Sequence, residues 1–458
     1  MLFHNWVFLL FFAIVYPVYL LTKHTRFRTV WLLGASYVFY GWWNALFLLL
    51  ILYSTTVDYL AVLAMSRWGR KKQFLFISVV NNLGLLGFYK YAGFVTENVN
   101  AVLGHWGVAY TVPDPGVLLP VGISFFVFQS MSYTIDFYRG QVEKEPNFLR
   151  YATFVSLFPQ LVAGPIERAR NLLPQLQQTQ RVTWQDVTDG LSLFAVGFFK
   201  KVALADFLAT YVDEVYLMPD TYQAPALLLA TFAFAWQIYF DFSGYTDMAR
   251  GVARMMGFRL MLNFNNPYLA TGLGDFWGRW HISLSTWFKD YVYIPLGGNR
   301  HGTFRTYVNM FLTMVISGLW HGAKWTFIVW GALHALGRVV TRELERTAFY
   351  RECVPRCVKQ ALVFVFVCFC WVFFRADTFS DACTIVGRIF TSGWADPKCP
   401  LLMLGLVGSV WVYQFVYESR LRRLVDCAPV RVALVVAMFL YVAVFATSSN
   451  QAFIYFQF

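Results

Sequence analysis

Two histidines could do acid–base chemistry in a sequence otherwise suited to lipid. His281 lies in Asp275-Phe-Trp-Gly-Arg-Trp-His-Ile-Ser-Leu-Ser-Thr-Trp287 and His321 in Ser317-Gly-Leu-Trp-His-Gly-Ala323, with Ile294-Pro-Leu-Gly-Gly-Asn-Arg300 between them. Each follows a tryptophan. An ionisable side chain in an apolar segment is costly unless it has a partner or a task. Imidazole, with an ordinary pKa of about 6.5, suits the removal of a proton from a hydroxyl that is a poor nucleophile at neutral pH. Taken alone, a histidine in an apolar helix is more often a packing or interhelical hydrogen-bond residue. Two of them, each beside small residues, bring the packing reading and the chemical reading level.

The remaining titratable residues are weaker candidates. Two histidines without a carboxylate or thiolate at ligand spacing fall short of the three protein ligands of a catalytic zinc, so no metal and no bound cofactor is assigned. His334, one turn from Arg338, reads as packing. Asp241 and Asp247 fall near the inner end of an apolar span, where pairing with Arg250 or Arg254 on the following turns is expected. Seven cysteines form neither zinc-type pairs nor a disulfide framework.

The elements that carry these residues are membrane-like. Of 458 residues, 58% are hydrophobic and 14% charged, and the mean hydropathy is +0.51; soluble domains are about half apolar and about a quarter charged. The expected fold is therefore an all-α polytopic membrane protein, with about 11–12 transmembrane helices. Apolar runs fall near 2–22, 30–50, 51–66, 74–92, 117–137, 190–212, 224–246, 307–322, 325–340, 360–375, 401–417 and 430–448. No long polar interval separates them, so residues 1–458 read as a single integral membrane domain whose core motifs span about 117–340. Met1-Leu-Phe-His-Asn-Trp lacks the basic start of a signal peptide and reads as part of a retained first span.

Two stretches do not read as simple spans. Tyr151–Ile166 is short, with basic residues on both sides, and Leu262–Arg300 is polar, Gly-rich and aromatic. Both read as re-entrant or interfacial helices, which lipid tolerates only where irregular backbone is buried in protein or lines a cavity, so a central cavity or tunnel is expected. Within the second stretch, Asp275 is the expected N-cap of one helix running to about Tyr291, with Ser285 on the face of His281.

The net charge of +12 falls in short clusters between apolar runs, which argues for topology signals and against nucleic acid. Alternating sides from an outside N-terminus collects Lys23, Lys71, Arg139, Arg250, Arg342 and Arg420 on one face. That face is then cytoplasmic, and both termini lie outside.

Read together, these blocks resemble the membrane-bound O-acyltransferase superfamily, and closely its bacterial branch of alginate O-acetylation. The resemblance rests on Leu119-Pro-Val-Gly-Ile-Ser-Phe-Phe126, Phe158-Pro-Gln-Leu-Val-Ala-Gly-Pro165, Gln237-Ile-Tyr-Phe-Asp-Phe-Ser-Gly244, Trp280-His-Ile-Ser-Leu-Ser-Thr-Trp287, Ser317-Gly-Leu-Trp-His-Gly322 and Trp371-Val-Phe-Phe-Arg-Ala376. The family pattern has an Arg where Gly278 stands and a Gly where Ala335 stands.

What the resemblance implies is an O-acyltransferase of the bacterial inner membrane, with His321 and His281 as its catalytic histidines. The donor would be acetyl-CoA or another acyl thioester or acyl carrier on the cytoplasmic side, and the group an acetyl. The final acceptor would be a polysaccharide, reached through a separate extracytoplasmic acetyltransferase. Lys289, Arg300 and Arg305 could attract the donor's phosphates, although topology charges explain them equally well. A transporter or flippase without acyl-transfer chemistry is the competing reading, since it too would show broken helices and ionisable residues at depth.

Overall fold

The structure, a computed structural model, describes residues 1–445 and 453–454. All its regular elements are helical, and a helix occupies each of the twelve positions where an apolar run predicts one. This follows from the solvent: in lipid a backbone satisfies its own polar groups by forming helix, so apolar run and helix coincide. The chain is a multi-pass membrane protein. Phe47–Trp68, Ala224–Met255, Arg356–Arg375, Leu401–Glu418 and Ala428–Phe445 are each long and apolar enough to cross a bilayer. The run expected over 190–212 is two α-helices, Trp184–Phe199 and Asp206–Leu217, joined by the π-helical Lys200–Ala205. The last residues expected in the final span, 446–448, lie outside the described residues.

The chain divides into two compact units, Met1–Leu191 with Ala249–Met261, and Ser192–Met248 with Leu262–Phe458. In the first unit, Tyr151–Ile166 forms two short helices, Phe148–Ser156 and Phe158–Leu161, buried along their length from Tyr151 onwards. Leu157, at φ −55° and ψ 117°, leaves the helical conformation between them and Pro159 lies in the first turn of the second, so the segment turns inside the protein instead of spanning. Nearby, the buried Asp58 carboxylate accepts hydrogen bonds from Ser78 Oγ at 2.6 Å, Asn82 Nδ2 at 2.9 Å and Ser130 Oγ at 2.5 Å. A carboxylate can stay inside an apolar core only when it is surrounded by donors in this way.

The second unit holds the helix Ala224–Met255 up to Met248; this helix is the buried post, with 83% of its most apolar window inside the protein against none for Ala428–Phe445. Its two carboxylates each meet a lysine of another segment, and for Asp241 this replaces the expected pairing along its own helix. Asp241 receives Lys201 Nζ at 2.7 Å, which also reaches Asp206 at 2.8 Å, and Asp247 receives Lys200 Nζ at 2.7 Å. Arg254 pairs instead with Asp189, at 2.5 Å. The lysines reach them because the Lys200–Ala205 segment packs against the post at Gly244, where two carboxylates without cations would be expensive. The backbone N–H of Ile454 also donates to Asp241, at 2.7 Å.

Candidate active site

The segment expected as one helix from Asp275 to Tyr291 is broken at His281. It consists of Leu273–Arg279, Ile282–Phe288 and a π-helical turn, Lys289–Tyr293. Asp275 is not the N-cap: it sits in the first turn, where its carboxylate accepts the Thr271 N–H at 3.1 Å and the Arg279 Nε–H at 2.7 Å. At the break Trp280 is extended and His281 is left-handed, with φ 43° and ψ 54°. Few residues with a side chain adopt that conformation, so something must hold it.

What holds it is Asn263. Its Oδ1 accepts the Ser283 backbone N–H at 3.2 Å and the Ser283 hydroxyl at 2.9 Å, and stands 3.1 Å from His281 Nδ1. Because a backbone N–H already identifies Oδ1 as the acceptor, Nδ1 carries the proton toward it, and the lone pair of the neutral ring falls on Nε2. The hydroxyl beside His281 is therefore Ser283; Ser285, expected there, donates instead to the Trp280 carbonyl at 3.0 Å. The imidazole is fully buried, edge-on to Phe242 at 4.6 Å. Phe242 in turn packs against Phe453 at 5.9 Å.

His321 closes the helix Gly302–His321, which returns through a three-residue turn as Trp325–Leu344. The two helices approach closely because of Gly318 and Gly331: a Cβ on Gly318 would overlap the Phe327 carbonyl, and one on Gly331 the Met314 carbonyl. His321 is 3% exposed and edge-on to Trp320, Trp330 and Phe374 at 5.0, 5.1 and 5.3 Å. Trp320 also meets His281, at 6.1 Å. The two histidines picked out in the sequence thus flank one indole.

A cavity of about 670 Å³ reaches Ser317, one turn before His321, and Ser285, one turn after His281; neither histidine is among its walls. Met310, Met314 and Ser317 line it along one helix, and Arg342 and Arg338 along the other. Arg342 Nη1 lies 3.8 Å from Met310 Sδ, so both mark the same level. From Met310 to Ser317 a helix rises about 10 Å, and His321 is the next turn on that face. The cavity therefore runs from a cationic end toward His321. Of the three cations named in the sequence, Lys289 lines it, whereas Arg300 and Arg305 do not; Arg338 and Arg342 stand in their place. Trp277, Gly278 and Ser285 form another wall, and at Gly278 an added Cβ would meet nothing within 4 Å. The wall is open at the point where the family pattern has an Arg. Asn263, Arg338 and Arg342 are the site residues that sequence reasoning missed; for the arginines, spacing of four along one apolar helix was the available signal.

A cavity of this size takes a drug-sized or carrier-arm-sized ligand, and the two histidines each lie one turn from a residue of its walls, Ser285 and Ser317. The sequence profile of the MBOAT, membrane-bound O-acyltransferase, family matches residues 32–376. The chain belongs to the membrane-bound O-acyltransferase family. It is an O-acyltransferase, so the transporter reading falls. Among its relatives in this family is the probable alginate O-acetylase AlgI of Azotobacter vinelandii, 43% identical over 398 residues, which cover 86% of this chain and 79% of that protein. The peptidoglycan O-acetyltransferase of Helicobacter pylori is 35% identical, covering 80% and 74%. The teichoic acid D-alanyltransferase of Bacillus subtilis is 27% identical, covering 58% and 71%.

Proposed function

We propose that this membrane-bound O-acyltransferase takes an acetyl group from cytoplasmic acetyl-CoA, or a related acyl thioester, and delivers it across the bacterial inner membrane for O-acetylation of an exopolysaccharide. The polymer is alginate, by likeness to the Azotobacter relative. The observation that supports this reading is the cavity, which Lys289, Arg338 and Arg342 line and whose walls reach Ser317, one turn before His321. Lys289, Arg338 and Arg342 suit a phosphorylated carrier, and the apolar interior suits its thioester arm.

Acyl transfer to an alcohol needs a base. His321 takes the proton from the acceptor hydroxyl as its oxygen attacks the thioester carbonyl; the C–S bond then breaks, and the leaving thiolate recovers a proton. His281 either steadies the charge growing on the carbonyl oxygen or orients the acceptor. The acceptor hydroxyl belongs to a separate extracytoplasmic acetyltransferase, which passes the acetyl group to the polymer.

The test is turnover of labelled acetyl-CoA by purified protein in nanodiscs. Acetylated polymer should form only when the partner transferase is added. His321→Ala should lower the rate by about 10² to 10⁴ while inserting at normal levels, and His281→Ala should cost less. A well-folded His321→Ala protein with wild-type turnover would overturn the assignment, and polymer acetylated by this chain alone would overturn the need for a partner.

A further inference from the structure

Next to the histidine pair lies a second set of buried polar atoms. The rings of Trp277, Trp330 and His334 are in mutual contact, with centroids 5.7 Å apart for Trp277–Trp330, 5.0 Å for Trp277–His334 and 4.8 Å for Trp330–His334. Phe276, Phe366 and Trp371 close around His334 at 6.1, 6.0 and 6.4 Å. Trp330 and His334 are fully buried. Yet the indole Nε1 of Trp277, that of Trp330 and both ring nitrogens of His334 have no hydrogen-bond partner among the described residues.

Packing alone does not account for this. Phenylalanine at the three positions would fill a similar volume without burying any polar atom, whereas each unmatched donor pays its full desolvation cost. Four such atoms in one cluster point to a guest. Its chemistry follows from the inventory: indole only donates, and a neutral imidazole donates at one nitrogen and accepts at the other. Three N–H donors against one acceptor suit an oxygen that only accepts.

The position narrows the choice further. Trp277 is a wall of the cavity, as is Arg338, one turn beyond His334 on the same helix. Trp330 stands edge-on to His321 at 5.1 Å. Trp277 thus joins the cavity wall to Trp330 and His334, which lie behind it, and Trp330 joins the cluster to the proposed base.

We propose that Trp277, Trp330 and His334 form the hydrogen-bonding site for the carbonyl oxygen of the acyl thioester, an inference that rests on the donor reading given above. As the hydroxyl oxygen bonds to the carbonyl carbon and its proton passes to His321, the C=O electron pair moves onto this oxygen. The N–H groups hold the oxyanion until the pair returns, the C–S bond breaks and the thiolate leaves. His281, on the other side of Trp320, is then free to orient the acceptor.

Two non-reacting probes separate this site from general donor binding. The dethia ketone analogue of acetyl-CoA keeps the carbonyl oxygen, and S-ethyl-CoA lacks it. Calorimetric titration of the full-length protein in nanodiscs should give affinity for the ketone about 10-fold or more above that for the thioether. Trp330→Phe, Trp277→Phe and His334→Leu should each reduce that ratio toward one, and Trp330→Phe and His334→Leu, which do not line the cavity, should leave S-ethyl-CoA affinity unchanged. The kcat on acetyl-CoA should fall by about 10² to 10³ in each. A wild-type ratio near one, in protein that still turns over acetyl-CoA, would overturn the proposal, as would an undiminished ratio in folded Trp330→Phe and His334→Leu. If the wild type binds neither probe, the donor reading fails and takes the proposal with it.

Discussion

His281 is held in a conformation that its own chemistry disfavours. A left-handed residue with a side chain costs roughly 1–2 kcal/mol, and the break costs helical hydrogen bonds as well. Against this stand three interactions at Asn263 Oδ1, each worth about 1 kcal/mol. They offset the strain and at the same time fix Nδ1 as the protonated ring nitrogen. Asn263→Ala should therefore act through His281: folding stability drops by roughly 2–3 kcal/mol, and turnover falls to about the level of His281→Ala. The double variant should be no slower than His281→Ala alone, because residues acting as a unit are not additive. Multiplied losses in acetyl-CoA turnover would show that Asn263 works independently of the histidine.

At the scale of elements, the hairpin Gly302–His321/Trp325–Leu344 fixes the level of His321 relative to the cationic walls of the cavity. Its closeness depends on Gly318 and Gly331, each facing a backbone carbonyl that cannot yield as a side chain would. Gly331→Val should separate the helices, lower the melting temperature of the detergent-solubilised protein and cost roughly 1–3 kcal/mol or more. An unchanged melting temperature would mean that the packing there is loose. These helices were legible in the sequence because lipid forces an apolar run to be helical, whereas their close approach at Gly318 and Gly331 was not read from it. The break at His281 was not legible, since its cause, Asn263, lies 18 positions earlier and leaves no local pattern. The same holds for Asp241: spacing along its own helix suggested Arg250 or Arg254, but the cation comes from Lys201, on another helical segment. The Trp277–Trp330–His334 cluster was hidden for a third reason: aromatic residues fill 20% of this chain, so three more in apolar helices carry no signal until their rings are seen to meet.

At the scale of the whole molecule, the question is which end of the cavity faces the cytoplasm. The alternation of spans with basic loops puts Arg342 inside, by the rule that Lys and Arg are retained on the cytoplasmic side. Arg342 is also the residue that marks the cationic end of the cavity, at the level of Met310. The same alternation sends Arg356–Arg375 outward and Leu401–Glu418 back, so Cys353 and Cys357 lie inside, Cys383 outside and Cys427 inside. All four are exposed free thiols, so the native sequence carries its own topology probes. A membrane-impermeant maleimide applied to intact spheroplasts should label Cys383 and leave Cys353, Cys357 and Cys427 unmodified until the membrane is permeabilised. Introduced cysteines at Lys71 and Arg342 should behave like Cys353. Labelling of Cys353 or of the Arg342 site from outside would invert the orientation. The cationic end would then face away from the cytoplasm, and the proposed donor would have to enter by another route.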